Sequence, residues 1–117
     1  MARIAATSIL PPMSDTIEVA PRAVSEALAK GGAMLIDVRE KSEYDEARIP
    51  GSVLIPLGEL SSRLAEVPVD RDVYVHCRMG GRSARAVDYL RTFGHPRSYN
   101  VSGGIEAWDA AGLPVER

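Results

Sequence analysis

The sequence predicts an α/β fold in which a parallel sheet carries helices on both faces. Three observations lead there. Short β-branched runs alternate with runs of helical period from Ile17 onward. One of the strand-like runs, Val73–Cys77 (VYVHC), is apolar on both faces, as a parallel strand covered on both sides must be. A chain of 117 residues, 45% of them hydrophobic, can bury one core but not two.

In chain order, Ile17–Val19 reads as a short strand. Pro21 then suits a first helical turn, Ala20, Val24, Ala27 and Leu28 share one stripe, and Gly31-Gly32 stops the helix. Met34–Val38 (MLIDV) is an apolar run of strand length, followed by a charged stretch Glu40–Glu46 able to form one or two helical turns, broken at Ile49-Pro50-Gly51. Val53–Ile55 is a further strand, and Leu57, Leu60, Leu64 and Val67 predict a helical stripe closed by Pro68. After Val73–Cys77 come two glycines and a helix marked by Ala86, Tyr89, Leu90 and Phe93, with Gly94 and Pro96 beyond its end. Ser98–Val101 is the last strand and Ile105–Ala111 the last helix, ending before Gly112. Residues 1–14 lack periodicity and contain Pro11-Pro12, so they read as a loose arm, with Met13-Ser14-Asp15 suited to a native start; residues 15–117 form a single domain.

Composition excludes several functional classes. The one cysteine, Cys77, permits no intramolecular disulfide, no Cys-x-x-Cys redox pair and no multi-thiolate zinc site, and His76 and His95 are too few to build a metal site. No metal or other cofactor is expected. No apolar run approaches the roughly 20 residues that span a bilayer, and the first twelve residues lack the apolar block of a secretory signal. A net charge of -2, a pI near 5.7 and 5% aromatics argue against nucleic-acid binding. The cytoplasm is the expected location.

In parallel α/β sheets the ligand site lies at the carboxyl ends of the strands, and Cys77 falls there. It is followed by Arg78-Met79-Gly80-Gly81-Arg82-Ser83, a tight glycine-containing loop leading into a helix. The amides of such a loop and the positive end of the helix dipole converge into an anion cradle. A thiol of ordinary pKa about 8.5 can fall to roughly 3.5–7.5 at such a place, which makes Cys77 a candidate nucleophile. Arg78, Arg82 and Arg85 make the loop locally basic on an acidic protein, which favours an anionic substrate. A cysteine phosphatase needs His-Cys-x5-Arg so that its loop encircles a phosphoryl group. Arg82 is the fifth residue after Cys77, one short, and the sixth is Ser83. The shorter loop leaves room for one extra sulfur atom, so the spacing favours sulfur transfer through a cysteine persulfide.

With this loop in place, the chain from about Ile17 to Val115 resembles a single-domain rhodanese, a family of sulfurtransferases. The resemblance rests on IDVREKSEYDEARIPGS (Ile36–Ser52), VHCRMGGRS (Val75–Ser83) and VSGGIEAWDAAGLPV (Val101–Val115). It implies a five-stranded parallel sheet flanked by helices and a catalytic Cys77 with a six-residue loop ending at Arg82. It further implies transfer of a sulfane sulfur from a donor such as thiosulfate to a thiol or cyanide acceptor, and bracing of the loop by Asp37 and Arg39. Arg48 stands where the family usually has His.

Within that reading, Arg78 and Arg82 are candidates either to hold an anionic donor or to salt-bridge a neighbouring loop, and Ser83 to hydrogen-bond the sulfur or cap the helix. Met79, Gly80 and Gly81 supply loop backbone. Strand alternation turns His76 away from Cys77, and Trp108 reads as a packing residue. Two other readings stand beside a small-molecule sulfurtransferase. One is a relay or binding module served by a specific protein partner. The other is a cysteine phosphatase or arsenate reductase, although a single-chain arsenate reductase usually uses a second cysteine.

Overall fold

The computed structural model describes residues 17–117, so the predicted arm at residues 1–14 lies outside the described residues. Strands β1 (Glu18–Val19), β2 (Met34–Asp37), β3 (Val53–Leu54), β4 (Val73–His76) and β5 (Ser98–Val101) form one parallel sheet in the order β1-β5-β4-β2-β3. The helices are α1 (Pro21–Lys30), α2 (Lys41–Glu46), α3 (Gly81–Thr92) and α4 (Gly104–Ala110).

Strand β4 is central, and all four of its residues are buried. Two apolar clusters lie on opposite faces of the sheet. One joins Ile36, Val73, Val75 and Cys77 to Ala86, Val87 and Leu90 of α3. The other joins Leu35, Tyr74 and Val101 to Val24 of α1 and to Ile105 and Trp108 of α4. Adjacent strand residues point to opposite faces, so Leu35 and Ile36, or Tyr74 and Val75, fall in different clusters. This is the two-faced burial that the VYVHC run predicts.

Local chemistry accounts for the element ends. Pro21 opens α1, where its missing N–H costs nothing, and Gly31 closes it at φ +84°. Helix α2 is only six residues long and begins with a capping box: Glu40 N–H donates to Glu43 Oε1 at 2.9 Å, and the Glu40 side chain accepts from the Glu43 amide.

One element differs in kind from expectation. The stripe Leu57–Val67 forms two 3₁₀ segments, Leu57–Glu59 and Ser61–Glu66, rather than one α-helix. Prolines bound the segment at Pro56 and Pro68, and the Leu57 N–H is held by the Val38 carbonyl at 3.0 Å, which ties the first turn to the sheet edge. Arg63, at φ -117° and ψ 20°, breaks the helical path. Leu60 and Val67 still reach the core, so the spacing identifies the right contacts through a different backbone.

Trp108 is 3% exposed, and its indole N–H donates to the Pro114 carbonyl at 2.8 Å, tying the C-terminal segment to α4. Replacing it with alanine opens a large hole in the second cluster and frees that segment. Trp108→Ala is expected to lower the unfolding free energy by about 3–5 kcal/mol, read from urea titrations followed by circular dichroism.

Candidate active site

The register that pairs Asp37 with His76 and Val75 with Asn100 brings the ends of β2, β4 and β5 to one edge of the sheet, where Cys77 follows β4 directly. From there the chain turns through residues 78–80 into α3. Gly80 makes this turn possible: it is the N-cap of α3 with φ +114°, a conformation that L side chains rarely adopt. The turn closes around the sulfur. Cys77 Sγ accepts hydrogen bonds from Gly80 N–H at 3.1 Å, Ser83 N–H at 3.4 Å and the Ser83 hydroxyl at 3.3 Å. It also stands at the N-terminus of a twelve-residue helix, where the dipole favours negative charge.

Three of the loop carbonyls are held by neighbouring segments. Cys77 C=O accepts from Ile105 N–H at 2.9 Å and Arg78 C=O from Glu106 N–H at 3.1 Å, both amides of the first turn of α4. Gly80 C=O accepts from Ala84 N–H at 3.0 Å and from Asn100 Nδ2 at 3.2 Å, and Asn100 Nδ2 also reaches Glu18 Oε2 at 2.8 Å. In a trans peptide the N–H points opposite to the C=O. Fixing these three carbonyls therefore turns the amides of Arg78, Met79 and Gly81 toward the concave side of the loop. Gly104 allows α4 to come this close: a Cβ there would strike the Cys77 and Arg78 carbonyl oxygens, the latter at 2.5 Å.

Two effects oppose each other in the Cys77 thiol. Burial pushes its pKa up, while the Ser83 hydroxyl and the amides of Ser83, Gly80 and Met79 stabilise the thiolate and together prevail, leaving the pKa below its ordinary value. Ser83 is fully buried and bonds Sγ through both hydroxyl and amide, so it acts on the sulfur itself.

Behind the loop, Asp37 and Arg39 form a buried pair. Arg39 Nε and Nη2 reach the Asp37 carboxylate at 2.8–3.1 Å, and Arg39 Nη2 also donates to the Ala47 carbonyl at 2.7 Å, pinning the end of α2. His76 is fully buried beside them, its Nε2 3.6 Å from Asp37 Oδ2 and its Nδ1 3.3 Å from the Cys77 carbonyl. Burial holds its pKa down against the pull of Asp37, which favours the neutral imidazole.

Arg78 and Arg82 make the ion pairs that were one of their two expected roles. They have no acid near them in sequence, but the fold supplies one for each. Arg82 makes two bonds to Glu43, at 2.7 and 3.0 Å, and Arg78 Nε donates to Glu106 Oε2 at 2.7 Å. Each of these two guanidiniums thus faces a carboxylate, while Arg85, the third arginine of the segment, has no ion-pair partner among the described residues. Glu43, Glu106, Asn100 and Gly104 belong to the site although sequence reasoning did not place them there. The signal for Asn100 was a polar residue in a short strand of the sheet; for Gly104 it was the Gly-Gly pair at the start of α4. Glu43 and Glu106 look like ordinary surface acids until the chain is folded. Arg48 lies away from the loop: it stacks over Tyr44 at 5.2 Å, pairs with Glu116 at 3.3 Å and bridges Glu116 through the backbone.

A cleft of about 370 Å³ runs beside the loop, lined in part by Glu43, Arg78 and Glu106. A larger one, about 540 Å³, lies away from the cysteine, around Gly31, Asp72 and Arg97. Among the described residues no group of three or more His, Cys, Asp or Glu side chains could hold a metal ion, and no helix is long and apolar enough to cross a membrane.

The rhodanese-like domain family model matches residues 20–111. The chain belongs to the rhodanese-like domain family. A protein of Allochromatium vinosum named as a sulfurtransferase is 37% identical over 99 residues, which cover 84% of this chain and 92% of that protein. A putative sulfur carrier protein of Bacillus subtilis, YrkF, is 39% identical over 74 residues, 63% of this chain but only 40% of that protein. The crystal structure of a rhodanese-related protein from Thermoplasma volcanium matches with a TM-score of 0.78 at 31% identity, over 85% of this chain and 96% of that one. The five-stranded parallel sheet that the resemblance implies is the one observed in this rhodanese-like domain.

Two outcomes follow from the site's electrostatics. Ser83→Ala removes a donor to the thiolate, so the pH profile of Cys77 alkylation by iodoacetamide should move to higher pH. Glu43, held by Arg82, has its pKa lowered from 4.5 to about 2. Its contribution to stability is present above pH 4.5 and lost as pH falls through about 2. Denaturant titrations should therefore show wild type more stable than Glu43→Gln at pH 7, with the difference closing toward pH 2.

Proposed function

We propose that this domain is a sulfurtransferase that carries a sulfane sulfur as a persulfide on Cys77, taking it from thiosulfate or another persulfide donor and passing it to a thiol or cyanide. The observation that carries the reading is Cys77 Sγ held by Gly80 N–H, Ser83 N–H and the Ser83 hydroxyl at the head of α3. These groups favour the thiolate, the form that attacks sulfur.

The chemistry needs two displacements. The Cys77 thiolate attacks the outer sulfur of the donor; the new S–S bond forms as the donor's bond to that sulfur breaks, and the electron pair leaves with sulfite or a thiolate. The outer sulfur of the resulting persulfide is anionic, and the inward-facing amides of Arg78, Met79 and Gly81 are placed to receive it. An acceptor thiolate or cyanide then attacks that sulfur, and the electron pair returns to Cys77. Both leaving groups depart as anions, so no general acid is required. Asp37 and Arg39 brace the loop from behind rather than touching the reacting atoms. The single cysteine has no resolving partner within the chain, so discharge depends on an external acceptor. A thiol that must stay reduced to work suits a reducing compartment such as the cytoplasm.

A second reading, relay between proteins, draws support from Met79, which is 67% exposed beside the nucleophile, and from the likeness to a protein named as a putative sulfur carrier. In that case loading by a protein persulfide would far exceed loading by thiosulfate. The phosphatase and arsenate reductase readings are disfavoured by the loop length and by the absence of a second cysteine.

Incubation with thiosulfate should add about 32 Da, one sulfur atom, to wild type, and cyanide should remove it, while Cys77→Ser gains nothing. Intact-mass spectrometry reads all three results. Sulfur transfer to cyanide by the Cys77→Ser variant, or hydrolysis of an aryl phosphate by wild type, would overturn the proposal.

A further inference from the structure

The ion pairs at the rim of the loop bear on which donors the site accepts. Arg78 follows Cys77 directly and lines the cleft beside the loop. Glu106 holds it twice, by side chain at 2.7 Å and by its own N–H on the Arg78 carbonyl at 3.1 Å. The two side chains are 65% and 47% exposed, so the pair stands in solvent at the mouth of the site. Arg82 is matched in the same way by Glu43. Arg85, the third arginine of the segment, lines a separate cleft with Leu57, Leu60 and Tyr89.

The cleft beside the loop continues this balance. Its walls carry four carboxylates against three guanidiniums, and Glu46 has no cationic partner among the described residues. Thiosulfate would bring two negative charges to this surface, much of that charge on the sulfonate end, outside the reach of the loop amides. An organic persulfide brings one, on the very sulfur that the amides receive.

We propose that Glu106 is a specificity-determining residue: by holding Arg78 it withdraws the cation that a dianionic donor would use, and so turns the site toward organic persulfides. This rests on the sulfur-transfer reading above. The step is the same displacement, in which Cys77 takes the outer sulfur and the persulfide's S–S bond breaks to release a thiolate.

The test compares second-order rate constants for persulfide formation on Cys77, followed by intact mass, with thiosulfate and with 2-hydroxyethyl persulfide as donors. It uses the full chain as wild type, Glu106→Gln and the double variant Arg78→Gln/Glu106→Gln. Wild type should load faster from the alkyl persulfide. Freeing one guanidinium beside a dianion should raise the thiosulfate constant of Glu106→Gln roughly three- to ten-fold, with a much smaller change for the persulfide. The gain should be largest at about 0.01 M ionic strength, where screening extends about 30 Å, and should fade at about 1 M, where it extends about 3 Å. The double variant should lose it. An equal gain for both donors, no gain for thiosulfate, or a gain indifferent to salt would overturn the assignment while leaving sulfur transfer intact. Failure of both donors to form a persulfide on Cys77 would instead overturn the sulfur-transfer reading, and this assignment with it.

Discussion

The contact between the first turn of α4 and the loop after Cys77 shapes the rest of the site. Two amides of α4 hold the carbonyls of Cys77 and Arg78, and planar trans peptides then leave the following amides facing the other way. An anion cradle is thus built from backbone alone, using donors that cannot be lost by side-chain rotation. The arrangement requires two helices to meet over a few atoms, which the absence of a side chain at Gly104 permits. Asn100 and the first turn of α3 secure the Gly80 carbonyl in the same sense.

Around this frame the sulfur lies between opposing influences. Its burial works against a thiolate, and hydrogen bonds from Ser83, Gly80 and Met79 work for one. Bonds to a charged acceptor are stronger than neutral ones, about 1.5–3 kcal/mol each, which is why a few donors can overcome desolvation at a site sheltered from water. The buried Asp37–Arg39 pair lies beside His76, the residue before Cys77. Arg39 also reaches the end of α2 through the Ala47 carbonyl, and α2 carries Glu43 to Arg82. These contacts link the end of β2 through α2 to the last arginine of the loop.

Charge at the mouth of the site follows a different rule from charge in the sequence. Arg78, Arg82 and Arg85 form a basic cluster on the page, yet the first two meet carboxylates 28 and 39 positions away. The Cys77 sulfur is held by hydrogen-bond donors of Gly80 and Ser83, and the two arginines that flank the loop face carboxylates. Under the proposed function, such a surface would select by the position of a substrate's charge more than by its sign.

The amino-acid sequence by itself determined the alternation of strands and helices, the burial of β4 on both faces, the place of Cys77 at a strand end and the length of its loop. Each of these depends on residues adjacent in the chain: side-chain period, glycine and proline at turns, and the count from Cys77 to Arg82. It misread the segment Leu57–Val67 as an α-helix because the apolar spacing is common to both backbones, while the bond from Leu57 to Val38 that helps set the 3₁₀ path joins distant segments. Only the tertiary structure decided which carbonyls α4 binds, that Glu43 and Glu106 take the loop arginines, and that Asn100 reaches Gly80. Those are contacts between parts of the chain brought together by the sheet order β1-β5-β4-β2-β3, and local pattern carries no information about which acid will face which base across it.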